Sequence, residues 1–369
     1  MRTNNYLWAV LAAATLSLNA CVSGENEMME PQPQGKTAEL KITIQGAPVT
    51  NTKSTGASLP SATTDENTVK RIAIGIFNPD GSVNAIKEFT ATSGISINCT
   101  PANGCSGIAV ANAPANTFAG VTTKTGFLAK TVTLGQDAKE LPMTGEIKDN
   151  TSSAGTFNLT AGNTTNVKVD LERLVARVSI SGIKTDFDLA GQYANATFTA
   201  KQIFLHNAKT TSDVSTGAPT TSDLKTGWDD QSVAANHIAT LKDDINGSSG
   251  TAITSSPTTD QYWFYTFPNG NTTSTRLVIR GDFDPDGNGS TAAVDVYYPV
   301  VVNLAQTGTT INSGAKDGTI ARNNTYAITA TIKGKGAPDP NADMNPATLD
   351  LTVTVARWAL NITQDVEFN

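Results

Sequence analysis

Histidine is nearly missing from this chain: His206 and His237 are the only two in 369 residues. Imidazole is the commonest general base and metal ligand near neutral pH, so most histidine-based chemistry is excluded at the outset. His206 in IFLHNA and His237 in AANHIA read as surface or half-buried side chains. No GxSxG elbow, HExxH pair, P-loop or GxGxxG turn occurs either, and no enzyme reading or cofactor follows. Charge is scarce too. Only 16% of residues are charged and the net charge is −7, which argues against a nucleic-acid surface. Leu/Glu/Lys-rich helical runs are almost absent, while Thr, Asn, Ser and Gly fill the polar positions. That composition favours strands joined by many loops. After the N-terminus no segment approaches the ~20 apolar residues needed to span a bilayer.

What the N-terminus does contain is a targeting pattern. Arg2 precedes a mainly apolar stretch, Tyr6 to Leu18, that ends in Leu18-Asn19-Ala20-Cys21. This looks like a bacterial lipobox, whose cysteine thiol takes diacylglycerol. Residues 1–20 are expected to be a lipoprotein signal peptide and Cys21 the lipidation site that anchors the precursor to a membrane. The alternative is an ordinary signal peptide ending beside a cysteine. Residues 21–36 are acidic, contain proline and lack periodicity, so they read as a lipidated tether. The other two cysteines, Cys99 and Cys105, lie in SINCTPANGCSG. Export passes through an oxidising compartment and Pro101 to Gly104 has turn chemistry, so a local disulfide across that turn is expected. A redox or metal pair would want CxxC spacing and nearby ligands, which are missing.

Alternation of apolar and polar residues marks the strands. Leu40, Ile42 and Ile44 form the first, followed by an unpatterned loop rich in Gly, Pro, Ser and Thr. Further strands are expected at 72–76, 95–97, 131–134, 155–159 and 167–171, with a short helix within 109–129. LERLVARVSISGI (171–183) reads as the seam between halves. Later strands are expected at 198–205, 262–267, 277–283, 294–302 and 326–332, with loop-rich insertions over 206–260. No internal repeat is detected. The economical architecture is all-β, two antiparallel β-sandwich domains in tandem over 54–170 and 171–348. They are preceded by a strand and loop at 37–53. One run, GDFDPDGNGS (281–290), places Asp282, Asp284 and Asp286 like the opening of a calcium loop, yet position twelve is Ala293 in place of the bidentate glutamate. A hairpin tip explains its Asp-Gly and Asn-Gly steps better.

The last residues, LDLTVTVARWALNITQDVEFN, alternate almost to the end. Leu349, Leu351, Val353 and Val355 fall on odd positions; Trp358, Leu360, Ile362, Val366 and Phe368 fall on even ones. The switch of parity near Ala356-Arg357 implies a bulge or a change of sheet. Residues 349–369 therefore read as a strand region held ready at the C-terminus. A Gly/Pro/Asp-rich stretch at 334–346 precedes it and reads as a hinge.

Several landmarks in order resemble the fimbrillins, the subunits of type V pili of Bacteroidia. They are the lipobox at Cys21, LPMTGEI (141–147), LERLVARV at the seam, VYYPVVVNL (296–304), IARNNTYAITATIKGKG (320–336) and the Trp358-bearing end. The resemblance covers nearly the whole mature chain. It implies two transthyretin-like sandwiches and polymerisation by donor-strand exchange after proteolytic trimming. In that family an Arg-specific protease cuts after the first strand. Here the matching loop offers Lys53 and no arginine before Arg71, with Lys70-Arg71 as a fallback site. On this reading Leu40, Ile42 and Ile44 form the displaced strand, and Trp358, Leu360, Ile362, Val366 and Phe368 the donor strand. The expected partners are copies of the chain, anchor and tip subunits and a processing protease, with no nucleic acid. The expected location is the outer membrane, then an extracellular fimbrium supporting adhesion and biofilm. An anchor or tip subunit, or a monomeric glycan-binding lipoprotein using Trp228, is the alternative.

Overall fold

The computed structural model describes residues 35–46, 64–215, 224–229, 235–247, 249–270 and 272–358. The first half holds β1 (Ala38–Gly46), β2 (Ile72–Phe77), β3 (Val83–Phe89), β4 (Ile95–Cys99), β5 (Ala102–Ala111), helix α1 (Lys124–Leu128), β6 (Thr131–Thr133), β7 (Met143–Asp149), β8 (Phe157–Leu159) and β9 (Thr164–Arg173). The second holds β10 (Ala176–Ile180), β11 (Lys184–Thr185), β12 (Thr197–His206), β13 (Thr211–Asp213), β14 (Lys242–Asp244), β15 (Thr251–Ile253), β16 (Tyr262–Thr266), β17 (Arg276–Asp284), β18 (Val294–Val301), β19 (Thr309–Ile311), β20 (Asn324–Ile332) and β21 (Leu349–Arg357).

The first sheet runs β3-β2-β5-β7-β9-β1-β4, with β8 added to β5. Its inner face is the Ile/Val stripe that alternation requires: Leu40, Ile42, Ile44, Ile72, Ile74, Ile76, Val167 and Val169 share one core. β2 is buried on both faces, because Ala73 and Phe77 face a different core that also holds Phe118 and Phe127. Phe127 comes from α1, which Thr123 caps by accepting a hydrogen bond from the Gly126 amide at 3.1 Å. Gly75 makes room for it, since a Cβ there would stand 2.9 Å from the Phe127 ring. The chain crosses to the second half at Leu174 and Val175. There β16-β10-β20-β21-β19 faces β14-β12-β17-β18 across a second large core that includes Phe198, Phe283, Tyr298 and Tyr326.

The all-β, β-sandwich reading holds. In detail the sheets are mixed: β1 runs parallel to β9, β10 and β11 run parallel to β20, and β19 runs parallel to β21. Side-chain alternation is the same in either orientation, so the sequence pattern does not separate them. The expected helix within 109–129 is α1, but Ala102–Ala111 is a ten-residue strand. The expected turn at 101–104 is absent. β5 begins at Ala102, and Gly104, at φ +70°, lies inside an irregularity of the β5–β8 ladder between Ala102 and Cys105. β6 pairs with β13, so a strand of each half joins one small sheet.

Candidate functional site

β1 occupies an unusual place for the first strand among the described residues. It is inserted between two neighbours, pairing parallel to β9 from Glu39↔Thr164 to Gly46↔Leu171 and antiparallel to β4 from Ala38↔Cys99 to Ile42↔Ile95. Ala38, Leu40, Ile42 and Ile44 are all buried in the first-sheet core. For the three larger side chains the gross transfer free energy is roughly 5–9 kcal/mol. The strand is set apart from the next described residue, Thr64, by 47–63, the segment that carries Lys53. Lys53 and Cys21 lie outside the described residues.

At the other end of the described residues, Trp358 is held in a buried cluster. Trp358 is 2% exposed and stacks on Tyr265 with ring centroids 5.7 Å apart. The Arg173 guanidinium lies 4.1 Å from the indole centroid. Arg173 donates to Trp358 O at 3.3 Å, Glu66 O at 2.9 Å and Asn67 Oδ1 at 2.8 Å. Arg177 Nη1 stands 3.0 Å from both Glu66 carboxylate oxygens, and Tyr265 Oη donates to Oε1 at 2.8 Å. Burial pushes the Arg173 guanidinium down to about 10, opposed by the Glu66 charge and reinforced by Arg177. Burial first, then Glu66, raises the Tyr265 hydroxyl. Glu66 is among the first residues described after 47–63, and Trp358 is the last described residue. Glu66 and Trp358, which flank the described chain on the sides of 47–63 and 359–369, thus meet in one ionic cluster.

Trp358 is therefore an anchor in the chain's own core and not part of a free tail. The parity switch is a change of core: Val353 and Val355 face the second-half core, whereas Trp358 faces the core shared with Phe77 and Phe127. Leu360, Ile362, Val366 and Phe368 lie outside the described residues. The hinge expected at 334–346 is corrected. Ala337 exchanges two backbone hydrogen bonds with Tyr297, at 2.8 and 2.9 Å. The Arg276 Nη1 group reaches Pro340 O, Asn341 O and Ala342 O, and Nη2 binds Asp343 at 2.8 Å. A Gly/Pro-rich stretch has many unpaired carbonyls, and one guanidinium gathers them here.

The remaining candidates do not form one common site. Cys99 and Cys105 are free thiols in the structure, both buried, where the sequence reading expected a disulfide. With no turn at 101–104, β4 goes to β1 and β5 to β2, β7 and β8, and the sulfurs face Ile97 O and Ala102 O. Burial, with a smaller contribution from Cys105, pushes the Cys99 thiol up to about 11. The 281–290 run is the β17–β18 hairpin tip. Asp282 pairs with Lys201 at 2.6 Å, and the Asp284 and Asp286 carboxylates accept from backbone amides of 286–291. Those oxygens are already spent on the turn. His206 is buried between Thr226 and Asn341, and burial lowers its pKa; His237 pairs with Asp229 at 2.8 Å. Trp228 is half-buried and packs on Tyr297, its indole N–H directed at the phenol oxygen at 3.3 Å. It offers no open aromatic platform for a glycan. No helix among the described residues is long and apolar enough to cross a membrane.

Solved structures share this fold. A fimbrilin from Porphyromonas gingivalis W83 superposes with a TM-score of 0.64 at 22% identity, covering 89% of this chain and 99% of that one. A putative cell adhesion protein from Parabacteroides distasonis ATCC 8503 gives 0.67 at 17% identity, covering 89% and 99%. Another from Bacteroides eggerthii DSM 20697 gives 0.61 at 21% identity, covering 89% and 98%. No curated protein matches the chain. The family model for the "Major fimbrial subunit protein (FimA)" matches residues 38–178, and that for the "FimA4 pilin C-terminal domain" matches 284–358. Since these two matches together span more than half of the sequence, the chain belongs to the fimbrillin family of fimbrial subunits.

Proposed function

We propose that this fimbrial subunit is exported as a precursor lipidated at Cys21, trimmed after Lys53 and polymerised by donor-strand exchange into a surface fimbrium. The observation that carries the reading is the seat of β1. β1, bonded to a neighbour on each edge, is followed directly by the segment 47–63, which bears the proposed cut site. While that loop is intact, β1 is present at an effective concentration of at least ~1 mM and holds its slot, so the precursor stays monomeric. A cut after Lys53 frees β1 and the lipid together. The vacated slot then offers apolar surface and unpaired backbone groups, which an extended strand from another copy satisfies by β-strand addition. Residues 359–369 supply that strand, starting beyond the Trp358 anchor. A head-to-tail contact of this kind does not close on itself and builds a filament. A major stalk subunit with two sandwich domains, 54–170 and 171–348, is the form that fits. Anchor and tip subunits and a processing protease are its partners, and the likeness to two putative cell adhesion proteins supports an adhesive role.

Deleting residues 359–369 tests this directly. The shortened chain should fold, reach the surface, be trimmed and stay monomeric. Surface-sheared material examined by gel migration under mild detergent, with N-terminal sequencing, should show a single trimmed band where the full chain gives a ladder. A ladder from the shortened chain would sink the donor-strand reading.

A further inference from the structure

The slot that holds β1 has two walls of unequal support. On one side β9 is backed by β7, from Met143↔Arg173 to Asp149↔Val167. On the other, β4 has no ladder neighbour except β1 among the described residues. Apolar packing keeps β4 on its face of the core through Ile95, Ile97 and Cys99. It does not fix the register, because a slip of two residues puts Ile97 where Ile95 was and preserves the stripe.

A further tie on β4, beyond its short link to β5, comes from Asn84 on β3. Its Nδ2 donates to Thr100 O at 2.9 Å, and Thr100 N donates to its Oδ1 at 2.9 Å. Thr100 is the residue immediately after β4. One carboxamide thus presents the donor and acceptor pair that a neighbouring strand would present. The amide is itself oriented: Nδ2 also donates to Asn78 Oδ1 at 2.8 Å, and Asn78 Nδ2 donates to Ser82 Oγ at 2.9 Å, inside the β2–β3 turn. With β1 in place the clamp is redundant, since β4 already has five register pairs. It is a polar tie from the end of β4 to β3 that does not depend on β1.

We propose that Asn84 is a positioning residue for assembly: it holds β4 in register while β1 is absent, so the incoming strand meets a slot with two walls. The proposal rests on the strand-exchange reading above.

The test uses the full chain nicked within 47–63 by limited trypsin treatment, the nick verified by mass, and a fluorescein-labelled peptide of residues 359–369. The wild-type chain should capture the peptide. Asn84→Leu should capture it about ten-fold or more weakly, the effect of losing two hydrogen bonds of ordinary net strength. Asn84→Ser, which keeps a shorter donor and acceptor, should fall between. Before nicking, all three should melt together and protect the Ile95–Cys99 amides equally from hydrogen exchange. Equal capture by wild type and Asn84→Leu overturns the role of Asn84 and leaves strand exchange standing. An unnicked Asn84→Leu destabilised as much as its capture is weakened also overturns it, since the residue would then be merely structural. Failure of the wild-type chain to capture the peptide removes strand exchange, and the role of Asn84 with it.

Discussion

Glu66→Gln should lower the unfolding free energy by about 3–5 kcal/mol, the usual cost of breaking a buried ion pair by removing one partner. Glu66 is 0% exposed, and Arg173 and Arg177 are 0% and 3% exposed. Its carboxylate meets Arg177 Nη1 with both oxygens and accepts from Tyr265. Glutamine keeps the volume but turns an NH2 group toward a guanidinium, leaving two buried cations without their counter-charge. The loss should appear in urea unfolding as a lower midpoint with an unchanged slope. Lys70→Ala, which breaks an exposed pair with Glu140 at 2.8 Å, should barely move the midpoint. Adding Arg177→Met to Glu66→Gln should restore part of the loss, because the stranded charge goes with it. A midpoint for Glu66→Gln equal to wild type would show that the cluster does not hold the junction.

Leu40→Ala should split the two states of the protein. In the uncut chain Leu40 is wholly buried, opposite Ile97 on one side and Thr165 on the other. Truncating it should cost about 2–5 kcal/mol through lost transfer free energy and the cavity left behind. Once β1 has been removed, the substitution has left with it, and the trimmed protein should be indistinguishable from wild type. The weakened strand should also be displaced sooner after the cut, so polymer should appear earlier. Thermal melting of uncut and assembled samples, with a time course of ladder formation, reads both effects. An equal loss in the trimmed form would mean that β1 stays with the body.

Much of this was legible because the chain alternates cleanly where a strand has one wet face. β1 and β20 show it, with buried and exposed residues alternating as the sequence does. The pattern failed where both faces are covered. β5 carries Gly107 and a run of small residues at its end, so its strand character is set by β2 and β7 on either side. The third core, which joins Phe77, Phe127, Leu174, Tyr265, Phe267 and Trp358, was invisible to local periodicity because its residues come from distant segments. The site divided along the same line. The apolar residues of β1 could be read directly, whereas Glu66 and Asn84 sit in stretches whose composition only says loop or edge. The hinge failed for a related reason: Gly and Pro report a backbone without regular structure, not one without partners, and Arg276 supplies the partners.

The seat of β1 has a mechanical consequence. A strand bonded along both edges and pulled along its own axis loads its two ladders in shear, so the bonds resist together. A strand peeled from one edge would release them one at a time. If the same slot joins successive subunits, tension along the filament falls on the geometry that yields last. Each joint then becomes the part of the fibre best suited to carry load between a cell and whatever it holds.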